Sequence, residues 1–251
     1  MSSRKRRYHD VFCGRIETPS REVLENLYMH AKEVGYYACI PSFCITPKLD
    51  TKTLQDAVVK LRSMIDDLQS VGYQVYLRCH FTGLGQVEMK KALPRIRGYC
   101  DLVSVEAISR EIAAFSSRDR RVDIVTMQPL ISPKLYKGDI EYILRYGKFV
   151  EVIASSLLAE DAQVLAKNIS SIRSLLSNFS RKKVPVLISS GDKGLKDPRS
   201  LIAFAELVLN LDGMFVATSI SKMIEQRLNE NVEKRLGIRP VEGLRVEGKA
   251  G

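Results

Sequence analysis

The feature that most restricts the fold is a repeated unit: a short apolar run, then an amphipathic helix. Residues 184–208 show it most clearly. Val186, Leu187 and Ile188 form the kind of apolar run a parallel strand has when both its faces are covered. Asp197 is placed to cap a helix, because its carboxylate can accept the free N–H groups of the first turn. Pro198 follows at the first helical position, where its missing N–H costs nothing. Leu201, Ile202, Ala205 and Val208 then recur at helical spacing. Between strand and helix lie Ser189, Ser190, Gly191, Lys193 and Lys196, with Arg199 just beyond. Hydroxyls, a pliant backbone, cations and a helix N-terminus could bind a phosphate. An ordinary solvated loop has the same composition.

The same alternation runs through the chain. Strands are expected at residues 9–13, 36–41, 73–81, 101–106, 122–127, 149–153, 186–188 and 214–217. Helices are expected between them, several with clear stops, such as Gly35 after the first and Gly72 after the second. Pro94 is expected to kink the third helix. Residues 42–48 and 128–137, with their prolines, read as loops. Eight such units, at roughly 25–35 residues each, imply a parallel sheet and suit a closed TIM-like (β/α)8 barrel better than an open one. The reading is one barrel domain over 9–236, preceded by a basic arm, 1–8, and followed by a charged tail, 237–251, expected to be flexible.

Charge narrows the partner. Lys plus Arg number 39 against 29 Asp plus Glu, a formal net charge of +10. That excess favours a polyanion, either nucleic acid or an anionic membrane surface. No apolar run approaches the roughly 18 residues a membrane span needs. Arg4, Lys5, Arg6 and Arg7 have no apolar segment after them, so they are not read as a secretory signal. The five cysteines include no Cys-x-x-Cys pair. Cys13, Cys39, Cys79 and Cys100 fall in or beside expected strands, where free cysteine acts as a small hydrophobe. The expectation is therefore a reducing cytoplasm and no zinc site.

A barrel of this kind carries its chemistry where the strands end. The residues expected there are Ser42, His80, Glu106, Gln128, Ser155, Ser190 and Thr218. The chain has three histidines, His9, His30 and His80, with no His-x-His and no i, i+4 pair. This argues against a catalytic metal cluster. His80 and Glu106 could form an acid–base pair, or simply share a hydrogen bond. Gly83-Leu84-Gly85 lacks the third glycine of a dinucleotide fingerprint. Tyr36, Tyr37, Tyr73 and Tyr76 read as packing. What remains is basic clusters: Arg4 to Arg7; Lys90 and Lys91 with Arg95 and Arg97; Arg118, Arg120 and Arg121; Arg181, Lys182 and Lys183. Taken together they favour contact with a phosphate backbone, which supplies affinity rather than sequence reading. Arg78 lies on an expected strand, so its charge must be paired or face the barrel mouth.

Two stretches resemble a known family. Residues 101–127 read Asp-Leu-Val-Ser-Val-Glu, a helix, then Arg-Val-Asp-Ile-Val. Residues 187–201 contain Leu-Ile-Ser-Ser-Gly and Asp-Pro-Arg-Ser-Leu. With Ala217-Thr218-Ser219-Ile220-Ser221 and the helix after it, they resemble ribonuclease P protein component 3, the archaeal branch of the RNase P 30-kilodalton subunit family. The first hundred residues agree only in rhythm and in an acidic residue on the first strand, Asp10, and Ser200 stands where the family often has Asp.

The resemblance implies a barrel related to the PHP phosphoesterases with an absent or degenerate metal site. It implies no catalytic residue and no cofactor on this chain, with Mg²⁺ used by the RNA of the holoenzyme. It further implies a cytoplasmic, non-catalytic subunit of ribonuclease P, the endoribonuclease that removes the 5′ leader of precursor tRNA. The partners implied are RNase P RNA, precursor tRNA, a small RRM-like subunit in a heterotetramer, and other RNase P proteins. On this reading Arg118, Arg120, Arg121, Arg181, Lys182 and Lys183 contact phosphates. Ser189, Ser190, Lys193 and Arg199 form a lip facing RNA or a partner, and Arg78 joins them at the mouth. The alternatives are a metal-dependent PHP phosphoesterase and a phosphosugar-binding enzyme using the loop at 189–191.

Overall fold

Strands apolar on both faces need helices outside and a filled interior within. The computed structural model, which describes residues 6–238 except 49 and 178, has that arrangement. Its first part comprises β1 (His9–Asp10), β2 (Arg15–Ile16), α1 (Arg21–Val34), β3 (Ala38–Cys39), β4 (Ser42–Ile45), α2 (Thr51–Ser70), β5 (Arg78–Phe81) and α3 (Gln86–Ile96). Then come β6 (Leu102–Glu106), α4 (Arg110–Arg118), β7 (Ile124–Met127), α5 (Lys137–Arg145) and β8 (Phe149–Ile153). The last part is α6 (Ala162–Leu176), α7 (Phe179–Lys182), β9 (Val186–Ser189), α8 (Pro198–Leu207), α9 (Gly213–Thr218) and α10 (Ile224–Arg235). All strands are parallel. Seven form one sheet in the order β2-β4-β5-β6-β7-β8-β9, and β1 pairs with β3.

β1 with β2, and β3 with β4, are the broken halves of the first two staves. The sheet curls until its last strand meets the first: Gly191 N donates to Phe12 O at 2.9 Å. Ser190 N donates to the Asp10 carboxylate at 3.2 Å. Outward-facing strand residues such as Cys79, Phe81, Val103 and Val105 pack under Leu54, Leu61, Ile65 and Leu93 of the helices. Val125, Val150, Val152 and Ile188 pack likewise with Ile172, Leu176 and Leu201.

Three expectations are corrected here. The TIM-like barrel has seven staves among the described residues, because the expected strand at 214–217 is helical. The Asp212 carboxylate accepts from Phe215 N at 3.0 Å, so this aspartate caps a helix. α9 passes through a π turn, Ser219–Met223, into α10. Ile220, Ile224 and Leu228 then share one cluster with Leu102, Ile124, Phe149 and Leu187, closing the floor of the barrel. Second, residues 42–45 form β4 rather than part of a loop. Third, four of the five cysteines are paired, Cys13 with Cys39 and Cys79 with Cys100, at Cα separations of 5.8 and 5.9 Å. Neighbouring staves bring each pair to bonding distance; Cys44 is free.

Most of the basic arm and tail, residues 1–5 and 239–251, lie outside the described residues. Of the arm, Arg7 pairs with Glu225 at 3.2 Å and lies over the Tyr37 ring. No helix among the described residues is long and apolar enough to cross a membrane.

Candidate functional site

The sequence-derived candidates divide between the two ends of the barrel. Inside the barrel, from the start of β5 up to the C-terminal ends of the strands, the period of two places Arg78 and His80 of β5, Ser104 and Glu106 of β6, Thr126 of β7, Glu151 of β8 and Ser189 of β9. They form one hydrogen-bonded network. Arg78, expected at an RNA-facing lip, is instead 0% exposed. Its guanidinium makes a two-pronged pair with Glu151, with 2.6 Å from Nη1 to Oε1, and also donates to Ser104 Oγ at 2.7 Å and to Val11 O at 2.8 Å. Glu151 accepts further bonds from Thr126 and Ser189, each at 2.7 Å. Burial alone would raise the Glu151 carboxyl, but the Arg78 charge beside it holds it below the usual carboxylate range.

The network reaches the mouth through His80. A guanidinium can only donate, so the 3.2 Å contact from Arg78 Nη2 makes His80 Nδ1 an acceptor. Ser104, which accepts from Arg78, donates to the same nitrogen at 2.7 Å. His80 Nε2–H therefore faces Glu106 Oε1 at 3.3 Å. Glu106 also accepts from Thr82 and from Gln128, the latter at 2.9 Å. Burial lowers the His80 pKa and keeps the ring neutral. Burial would raise Glu106, but the bonds from His80, Thr82 and Gln128 outweigh it and leave the carboxyl below its ordinary range. The pair is thus a neutral imidazole bonded to an ionised carboxylate whose lone pairs are well supplied. Among the described residues no three His, Cys, Asp or Glu side chains converge as metal ligands would.

The loop at 189–191 is a seam of the barrel rather than an open phosphate cradle. Ser189 is fully buried on Glu151, and Ser190 is 2% exposed. Ser190 N reaches Asp10, Ser190 Oγ accepts from Lys196 N at 2.9 Å, and Gly191 N closes onto Phe12 O. Gly191 has φ +84°, and a Cβ there would lie 2.1 Å from Ser155 Oγ, so no side chain fits. The first amides of α8 are also engaged: Arg199 N and Ser200 N donate to Asp197. Ser189 and Ser190 are therefore withdrawn from the expected lip by burial; Lys193 and Arg199 remain exposed. Asp10, behind the seam, is pushed up to about 6 by burial, against the hydrogen bonds from Ser190 and Phe12. Thr218, expected at a strand end, lies on α9.

The other candidates gather at the N-terminal ends of β7, β8 and β9, which are neighbours in the sheet. Ile124 is level with Phe149, and Val150 with Val186. The segments leading into them, carrying Arg118 to Arg121, Arg145 to Lys148 and Arg181 to Lys183, are therefore side by side. Arg118, Arg120, Arg181, Lys182 and Lys183 are exposed. Arg121 differs from its neighbours: Asp119 holds it through two bonds, 2.9 Å from Nε to Oδ1 and another from Nη2.

Sequence reading passed over the aromatic part of this end. Tyr142 and Tyr146, one helical turn apart, have ring centroids 5.8 Å apart and planes 28° from parallel. Arg118 lies 5.5 Å over Tyr142, and Arg120 lies 4.9 Å over Tyr146. The available signal was the i, i+4 tyrosine pair with Arg145 between. The nearby Arg97, from another candidate cluster, is paired with Asp123 at 3.3 Å.

No protein-family model matches the sequence, and no curated protein does. Among solved structures, a chain of archaeal ribonuclease P, determined by cryo-EM with mature tRNA, is similar at a TM-score of 0.67. The match covers 97% of this chain and 98% of that one, at 18% identity. A truncated 3-deoxy-D-arabino-heptulosonate 7-phosphate synthase from Thermotoga maritima is similar at 0.44, with 14% identity and coverage of 94% and 92%. Histidinol phosphate phosphatase from Lactococcus lactis, complexed with zinc, L-histidinol and phosphate, is similar at 0.42, with 10% identity and coverage of 90% and 92%. The first of these is a likeness of fold along the whole chain.

Proposed function

We propose that the chain is an RNA-binding, non-catalytic protein subunit of ribonuclease P. In this role it braces the RNA that removes the 5′ leader of precursor tRNA. The observation that carries the reading is the gathering of Arg118, Arg120, Arg145, Arg181, Lys182 and Lys183 at one end of three neighbouring strands. No ion pair involving them occurs among the described residues. Like charges held together without carboxylates repel one another, and a polyphosphate backbone relieves that repulsion. The motif resemblance at 101–127 and 187–201 and the shared fold give the complex its name.

The barrel mouth supports the non-catalytic half of the proposal. Its polar groups bond chiefly to one another, so little is left to activate water or hold a leaving group. RNase P RNA, precursor tRNA, an RRM-like subunit and other RNase P proteins are the partners on this reading, and Mg²⁺ belongs to the RNA. A cytoplasmic location goes with it. Two disulfides are rare in that compartment outside hyperthermophiles.

Reconstitution tests the proposal. Adding the chain to RNase P RNA and its protein partners is expected to raise precursor-tRNA cleavage and lower the Mg²⁺ it requires. The pure chain is expected to cleave nothing. Cleavage by the pure chain, abolished by His80→Ala, would overturn it.

A further inference from the structure

We propose that the cleft beside the start of β8 is a binding site for an unpaired nucleotide of RNA, with the base against the Tyr146–Arg120 stack and the phosphate on Arg145 and Lys234. This rests on the RNA-binding reading and adds to it a place, a mode and a strand preference. The cleft has a volume of about 480 Å³ and lies between the ends of α4 and α5 and the flank of α10. That is the size of a small-ligand pocket.

Tyr146 and Arg120 in its lining are the inner end of a ladder of flat groups that continues outside the cleft through Tyr142 and Arg118. Arg118, Tyr142, Tyr146 and Arg120 follow one another at ring contacts of 5.5, 5.8 and 4.9 Å. Arg145 lies 5.9 Å from the Tyr146 centroid. Aromatic rings and guanidinium planes are the surfaces on which unpaired bases stack, whatever their sequence. A base inside a duplex has both faces covered and cannot use them.

The platform is held in place by two cations, Arg227 in the lining and the buried Lys148. Arg227 Nη2 donates to the carbonyls of Tyr146 and Gly147, the latter at 2.7 Å, and so ties α10 to the turn before β8. Lys148 Nζ donates to Ser116 O at 2.7 Å and to Asp119 O at 2.6 Å, and so ties that turn to the segment bearing Arg118 and Arg120. The acidic residue among the lining groups, Glu230, faces Arg227 at 3.8 Å. Arg120, Arg145 and Lys234 have no carboxylate partner among the described residues.

A second Arg–Tyr stack shows that stacking alone is not the signal. At the opposite end of the barrel, Arg110 lies 4.2 Å over the exposed Tyr136 ring. That arginine is ion-paired with Asp139, so the stack carries no free charge.

The test uses the full chain, a single-stranded oligoadenylate and a duplex RNA of equal length, with binding read by fluorescence anisotropy. Tyr146→Ala is expected to weaken oligoadenylate binding about tenfold, the usual loss for one stacked base, and to leave duplex binding nearly unchanged. Tyr146→Phe keeps the ring and is expected to bind as wild type, as is Tyr136→Ala. Ultraviolet cross-linking of wild type to the oligoadenylate is expected to label the peptide bearing Tyr146, which keeps the test decisive even where the alanine variant misfolds. Equal or no loss on both RNAs, or cross-links confined to other peptides, would overturn the site while leaving RNA binding intact. Failure of wild type to bind either RNA would overturn both the site and the broader reading.

Discussion

The two ends of the barrel treat charge in opposite ways. In the interior and toward the C-terminal ends of the strands, Arg78 meets Glu151, Glu106 is fed by His80, Thr82 and Gln128, and Arg110 meets Asp139. At the N-terminal ends, Arg121 is paired, but Arg118, Arg120, Arg145, Arg181, Lys182 and Lys183 are not paired among the described residues. Both ends are polar, and a count of charged residues would not separate them. The first end leaves Lys193 and Arg199 exposed on the rim, but only the second gathers six unpaired cations side by side. A barrel fold directs attention to the first end, where enzymes of this shape carry their chemistry. Here that end behaves as a polar core, and the floor offers the better binding surface.

The largest effect is expected from Arg78→Met, which strands the Glu151 carboxylate without its partner. Leaving one buried charge unpaired costs about 3–5 kcal/mol, read as a lower urea midpoint. The folded fraction should bind RNA as wild type does. A loss well below 1 kcal/mol would mean that the mouth is not a tight ionic core.

Next, counted per bond, comes reduction of the disulfides. They close chain segments with separations of 26 and 21 residues. Chain-entropy arguments give about 3 kcal/mol for each. Thiol titration before and after reduction, followed by thermal melting, checks both the pairing and its contribution.

Arg118→Ala with Arg120→Ala should flatten the dependence of log K on log salt by about 1.4–1.8, the slope belonging to two lost phosphate contacts. Lys193→Ala with Arg199→Ala should leave the slope unchanged. Equal slopes for the two double variants would erase the distinction between the ends.

The smallest effect is a pH term at the seam. Asp10 is raised from 3.8 to about 6 in the folded chain, so the folded state binds its proton more tightly than the unfolded state does. Its contribution to stability therefore increases as pH falls through 6, by about 1 kcal/mol between pH 7 and pH 5. His9 and His80, lowered by burial, act in the opposite sense as they are forced to charge. The readout is thus the difference between wild type and Asp10→Asn across that range, which should lose the Asp10 gain.

Much of this was legible before the structure. Where a local signal and the tertiary fold agree, as in the buried run of β8 or the Asp197-Pro198 start of α8, the sequence reading and the structure coincide. The eighth strand failed because Met214 to Ala217 is a short apolar run, which fits a strand or a buried helical turn equally well. The Asp212 cap decided it. β4 was hidden by its polar start and the preceding proline, since Ser42 points into an interior that tolerates hydroxyls. The disulfides could not be read from spacing, because connectivity is set by which staves become neighbours. The site residues divided for the same reason. Ser189 looked like loop polarity but supplies a hydroxyl to Glu151, whereas Tyr146, which carried no signal of its own in the sequence, stacks under Arg120. Both roles depend on side chains far away in sequence.

The most direct test of the central claim is a protection map on the assembled ribonucleoprotein. Arginine- and lysine-specific modification would be compared for the chain with and without RNase P RNA. The account expects Arg118, Arg120, Arg145, Arg181, Lys182 and Lys183 to be protected by the RNA while Lys193 and Arg199 stay reactive. Protection confined to Lys193 and Arg199, with the floor still reactive, would contradict it.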